Sequence, residues 1–159
     1  MGTVSETTRQ RLVAQGFELN DDEINMFNYW LRIAPATCML WVATSLVLGS
    51  PLMMAVLIPV ALLCFALARH PFDAIYNYGL RYFVGGEKLP EYGAPRRFMC
   101  LMASVIVAAI AVSFAFDFFT IGYVLGSSMV AMLLLNVITG KCGPCTIYNR
   151  VVGPVYQKA

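Results

Sequence analysis

The run KCGPCTIYN, residues 141–149, carries two cysteines separated by a glycine and a proline. A C-x-x-C pair can bind a metal ion as two thiolates, or cycle between dithiol and disulfide as in thioredoxin-type sites. A second polar pair, His70 and Asp73, stands at the same three-residue spacing, just past another apolar run. On one face of a helical segment, residues i and i+3 are neighbours. Together His70, Asp73, Cys142 and Cys145 supply one imidazole, one carboxylate and two thiolates, and zinc accepts all three ligand types and usually takes four. Iron suits the carboxylate less well. Structural zinc contributes ~10–16 kcal/mol of apparent binding free energy in finger peptides, ample to clamp two segments together.

Two other readings of these residues stand beside the metal site. In the redox reading, Cys142 caps a helix that starts near Gly143, which lowers its thiol below the ordinary ~8.5. Lys141 adds positive charge, although it occupies the place of the usual tryptophan and no thioredoxin-like βαβ core surrounds it. In the structural reading, His70-Pro71-Phe72-Asp73 starts a helix with Asp73 capping amides, and both cysteines are inert. Cys38, Cys64 and Cys100 lie inside apolar runs, where a thiol behaves as a small hydrophobe. There is no phosphate-binding loop, no GxGxxG, no Ser-His-Asp set and no HExxH, so the catalytic residues are unknown.

The elements that position these residues are apolar. The 159 residues are 59% hydrophobic and 13% charged, with a mean hydropathy of +0.69, and a soluble globule has roughly 25% charged residues. One integral membrane domain over residues 1–159 is expected. A net charge of +2 gives no reason to invoke nucleic acid. Residues 1–22 are polar, with neither the apolar core of a signal peptide nor a myristoylation pattern. Four uncharged stretches, 33–50, 51–68, 98–116 and 120–139, are each near the ~20 residues that cross a bilayer and predict spans at about 24–49, 51–69, 98–116 and 120–140. The first runs backwards to an N-cap at Asn20 or Asp21, with acidic residues in its first turn. Short turns at Gly49-Ser50-Pro51 and Asp117-Phe118-Phe119 fold the spans into two hairpins.

All 11 lysines and arginines fall outside those turns: Arg9, Arg11 and Arg32 before the apolar stretch that begins at Ile33, then the loop 70–97 with its flanking Arg69, and the segment 141–159. The positive-inside rule then makes both termini and the central loop cytoplasmic. The tripeptide Ile-Tyr-Asn recurs at residues 75–77 and 147–149, and the same 72-residue offset aligns His70 with Cys142 and Asp73 with Cys145. Two parallel copies of a hairpin account for it. Residues 70–84 predict an interfacial helix with Pro71 in its first turn and a stripe of Phe72, Ile75, Tyr76, Gly79, Leu80 and Phe83 facing the bilayer surface. Ala94-Pro95-Arg96-Arg97 reads as the inside flank of the third span.

Several stretches together resemble the bacterial membrane family catalogued as domain of unknown function 4395. They are RLVAQGF (11–17), HPFDAIYNYGLRYF (70–83), GAPRRFMC (93–100), GYVLG (122–126) and CGPCTIYN (142–149), and HPFDxIYN followed by GAPRRF is the most specific. The resemblance implies a small four-span protein of the bacterial inner membrane and no particular activity. The family's C-terminal motif often keeps the cysteine matching Cys142 but not the one matching Cys145, so the resemblance does not extend to a four-ligand site.

The expected fold is an all-α membrane protein of four transmembrane helices in two tandem hairpins, with an amphipathic helix after the second span. The expected role is a scaffold or accessory subunit, with zinc or iron joining the hairpins. The alternatives are a thiol-disulfide protein using Cys142 and Cys145, and a carrier of a small molecule or lipid. Expected partners are the lipid bilayer and either other membrane subunits or further copies of the chain.

Overall fold

The computed structural model describes residues 5–17, 19–67, 69–84 and 88–152, except the side chains of Ile75 and Val84. Every regular element among them is helical. Helix α1 (Glu6–Ala14) and helix α2 (Asp21–Trp30) precede the bundle. The Asn20 amide donates to Glu23 Oε2 at 2.7 Å, half of a capping box that starts α2 at the expected residue. The chain turns at Leu31 and Arg32 and continues into α3 (Ile33–Leu48), so that Asp21–Leu48 forms one 28-residue helical stretch, uncharged beyond its acidic first turn except at Arg32. Helix α4 (Pro51–Leu67) follows the first tight turn. Helices α7 (Ala94–Ala115) and α8 (Phe119–Thr139) flank the second, where Asp117 takes a positive φ of 60°.

Three of these helices, Asp21–Leu48, Ala94–Ala115 and Phe119–Thr139, are long and apolar enough to cross a membrane. Helix α4 is equally apolar but has 17 residues, about 26 Å at 1.5 Å per residue against a ~30 Å hydrocarbon core. Its outward side chains agree with a lipid surround: Leu52, Val47 of α3 and Val124 of α8 are all exposed. Water would oppose such an apolar shell, whereas acyl chains are an indifferent solvent for it.

Packing joins the hairpins to each other more than it joins helices within the first. Helix α4 lies along α7 and α3 along α8, while α3 and α4 touch sparsely. Val42, Leu46, Met54, Leu57, Val107, Ile110, Phe114 and Met129 close the mid-bundle core. A second cluster, with Leu12, Phe17, Ile24, Phe27, Leu31, Tyr76 and Tyr92, fills the end of the bundle that carries the charges. Cys64 and Cys100 are disulfide-bonded in this second cluster, with their Cα atoms 6.0 Å apart. That corrects the expectation that they act as small hydrophobes, since facing positions on α4 and α7 bring together two residues that are 36 apart in the chain.

The segment after α4 also departs from expectation. Helix α5 (Asp73–Ile75), a π-helical turn (Tyr76–Leu80) and α6 (Arg81–Val84) replace a regular amphipathic helix, with Pro71 still in the turn before it. The wider π turn shifts the faces, so Asp73, Tyr76 and Asn77 are buried. Phe83, expected on the same stripe as Tyr76, is 91% exposed beside Tyr82 and Tyr78. Ile75, also of that stripe, lies outside the described side chains.

Candidate functional site

Gly140, with φ 67°, ends α8 in the left-handed conformation that glycine adopts without cost, and its amide bonds back to Asn136 O at 2.8 Å. The chain thereby turns sharply into Lys141 and Cys142. Cys142 is the N-cap of helix α9 (Gly143–Val151), with Pro144 in the first turn, as the redox reading expects. Its sulfur accepts the Cys145 amide at 3.3 Å, and the two cysteines form a disulfide. Both are buried, Cys142 at 5% and Cys145 at 0% exposure. The Cys142 sulfur also lies 3.4 Å from Met99 Sδ on α7, and the Tyr148 ring of α9 packs at a tilt against Phe98, centroids 5.4 Å apart.

The turn at Gly140 is held from outside. The last carbonyls of a helix have no intrahelical donors, and here side chains supply them. Arg32 donates to Val137 O and Ile138 O at 2.9 and 3.1 Å, Arg11 to Thr139 O at 2.8 Å, and Gln15 Nε2 to Gly140 O at 2.7 Å. The positive guanidinium groups also suit the negative end of the α8 dipole. Asn149 Nδ2 donates to Ala14 O at 2.7 Å, so α1 grips both α8 and α9.

His70 and Asp73 belong to a different cluster. The His70 backbone amide donates to Asp73 Oδ2 at 3.3 Å, the amide capping that the structural reading expects. His70 Nδ1 accepts the Phe72 amide at 3.2 Å, and Nε2 lies 3.4 Å from Cys38 Sγ on α3. A neutral imidazole with an occupied acceptor at Nδ1 carries its proton at Nε2, so it is a donor to the Cys38 sulfur. Burial, helped by the nearby Arg96 charge, pushes the His70 pKa down to about 4, which keeps the ring neutral near pH 7. Burial pushes the Asp73 carboxyl up, opposed by Tyr92, Arg96 and the His70 amide. The Tyr92 hydroxyl is pushed up by its own burial, eased by Arg96 and reinforced by Asp73. The carboxyl and the phenol interact, yet Asp73 Oδ1 and Tyr92 Oη lack a well-aligned hydrogen bond.

Arg96 is the centre of this cluster. It is 2% exposed, turned into the bundle from the first turn of α7. Nη1 donates to Gln15 Oε1 and Nη2 to Leu31 O, each at 2.8 Å, and the guanidinium lies over the rings of Tyr92 and Phe17. Gln15 thus ties Arg96 on one side to Gly140, two residues before Cys142, on the other. A cavity of about 50 Å³ lies beside the cluster, and its lining includes Cys38, His70, Tyr92, Arg96, Met99 and Cys100.

The four expected ligands therefore form two pairs. His70 and Asp73 meet Cys38, Tyr92 and Arg96, while Cys142 and Cys145 meet each other and Met99. Among the described residues no three His, Cys, Asp or Glu side chains are grouped to hold a metal ion. A disulfide has no thiolate to offer, so the sulfurs as bonded do not fit zinc. Sequence reasoning missed Gln15, Cys38, Tyr92 and Arg96. The signal available was an arginine directly after Pro95, one turn into an apolar helix, where a buried partner is needed if the side chain points inward.

Neither the curated proteins nor the solved structures contain a match to this chain. The motifs around which the site is built, from Asn28 through the Arg96 hub to the helix after the cysteines, are covered by a single family match over residues 28–152, and the chain belongs to that family, Domain of unknown function (DUF4395).

Proposed function

We propose that this protein is a membrane thiol-disulfide redox protein whose working pair is Cys142 and Cys145. One observation carries the reading: Cys142 caps α9 and its sulfur already accepts the Cys145 amide at 3.3 Å. On reduction, that amide and the positive helix end would stabilise a Cys142 thiolate, the form that attacks disulfides. Lys141 adds to the same field.

The membrane layout supports this chemistry. With all basic residues on one side, four spans in two tandem hairpins put both termini and the pair at the cytoplasmic face of a bacterial inner membrane. In that compartment a disulfide is ordinarily transient and catalytic, or a sensor. The short α4 spans by local thinning of the bilayer. The parallel repeat is supported by the way both α4 and α8 pass through a short link into a helix at the charged end. A metal-joined scaffold would instead need both sulfurs free and His70 turned away from Cys38.

Titration of the purified protein against glutathione redox buffers, read by alkylation and peptide mass, tests the proposal. A reversible Cys142–Cys145 couple is expected, with Cys145→Ser trapping a mixed disulfide at Cys142. Two thiols that stay reduced at oxidising potentials would end it. Elemental analysis finding one zinc per chain would favour the metal-joined scaffold.

A further inference from the structure

A groove of about 400 Å³ runs between α7 and α8, and it is almost wholly apolar. Four methionines, Met99, Met102, Met129 and Met132, supply much of its wall. At the charged end it closes on Lys141, Gly143 and Pro144, the last two lying between the cysteines of the disulfide. Met99 joins groove to disulfide, since it lines the one and its sulfur lies 3.4 Å from Cys142 of the other. Apolar walls with a few polar groups at one end are the usual make-up of a site for a small organic ligand.

Granted the redox reading above, we propose that this groove binds the ring of a membrane-borne quinone, the two-electron oxidant of the Cys142–Cys145 dithiol. Three features select that occupant. Methionine sulfurs make favourable contacts with flat rings and adapt to their shape. Lys141 lines the charged end of the groove, and an ammonium there would stabilise the negative charge a ring oxygen gains. A groove at bilayer depth is filled from the lipid, where quinones dissolve.

In the reaction, the Cys142 thiolate adds to a ring carbon of the quinone. The Cys145 thiolate then attacks Cys142 Sγ, the carbon–sulfur bond breaks with its electron pair passing to the ring, and the Sγ–Sγ bond forms. Both thiol protons end on the ring oxygens. One dithiol and one quinone thus give one disulfide and one hydroquinone.

The test uses full-length protein in lipid nanodiscs, reduced with dithiothreitol, desalted and mixed with decyl-benzoquinone. Peptide-level alkylation reads the disulfide and absorbance reads the hydroquinone. One hydroquinone per disulfide is expected. Ser128→Trp and Met102→Trp, which fill the groove from lipid-exposed positions, should each slow this oxidation by about tenfold or more. Oxidation of the same variants by glutathione disulfide should be unchanged. Equal quinone rates in wild type and both variants, or no hydroquinone while glutathione disulfide oxidises the pair normally, would overturn the proposal and leave a groove that holds only lipid. A pair that neither reagent oxidises would overturn the redox reading itself.

Discussion

Replacing Arg96 by lysine tests whether the buried guanidinium organises the charged end of the bundle. Arg96 donates two hydrogen bonds of 2.8 Å in different directions, to Gln15 Oε1 and Leu31 O, while lying 4.5 Å from the Tyr92 centroid and 5.0 Å from that of Phe17. Lysine keeps the charge, but a point donor on a flexible stem cannot reach both oxygens and lie flat between two rings. Losing one charged hydrogen bond costs ~1.5–3 kcal/mol, and weakening desolvated ring contacts costs about 1 more. Arg96→Lys should therefore destabilise by about 3 kcal/mol. Arg96→Met removes both bonds and leaves two buried acceptors without donors, at about 1–3 kcal/mol each, partly offset by removing a desolvated charge. The control is Arg97→Lys, since Arg97 makes one bond, to Phe65 O at 2.8 Å, from a more exposed position. Unfolding in mixed micelles can be followed through Trp30, which packs on Tyr76 in the same cluster. If Arg96→Lys stays within about 0.5 kcal/mol of wild type, as an ordinary surface substitution would, the guanidinium does not organise this end of the bundle.

Gly93→Ala should be among the most damaging substitutions in the chain, because a Cβ there would run into the backbone oxygen of Gly16 and neither backbone can give way. A loss above about 3 kcal/mol, or failure to accumulate, is expected, whereas Gly79→Ala meets nothing within 4 Å and should be tolerated. The stability that His70 contributes should fall as pH drops from about 6.5 to about 4, because the unfolded chain takes up a proton at His70 that the folded one refuses until about pH 4. Above pH 6.5 His70 contributes no slope. Relative to His70→Gln the loss is at most on the order of 3 kcal/mol, and a pH-independent difference between the two proteins would refute it. Cys142→Ser should abolish the redox couple yet keep α9, since serine is a good N-cap; a loss of helix by circular dichroism would show that the disulfide, not the cap, holds it. In Cys145→Ser, the Cys142 thiol should alkylate with a pKa below ~8.5, set by its place at the helix N-terminus.

Composition and charge placement were enough to read the helical membrane character of this chain. Long uncharged runs can satisfy their backbone only as helices in lipid, and the capping pattern at Asn20 and the turn at Gly49 mark their ends locally. The place of Cys142 at the start of a helix was also legible, because a proline two residues on and a polar run beyond it are local signals. Pairing was not legible. Nothing local distinguishes Cys64 and Cys100 from Cys38, and only the lie of α4 along α7 makes two of them a disulfide and leaves the third beside His70. The sequence offset that aligned His70 with Cys142 says nothing of distance, and α7 supplies Met99 to the one group and Arg96 to the other.

By itself, then, the sequence determined where the long apolar helices lie, which side of the bundle carries the charges and that Cys142 caps a helix, since all three depend on neighbours along the chain. The tertiary structure alone decided that Arg96 and Gln15 would be buried and would link the His70 cluster to the turn before Cys142. It also decided that a groove would open beside the disulfide. Those depend on how helices cross, and crossings are set by packing between residues far apart in sequence.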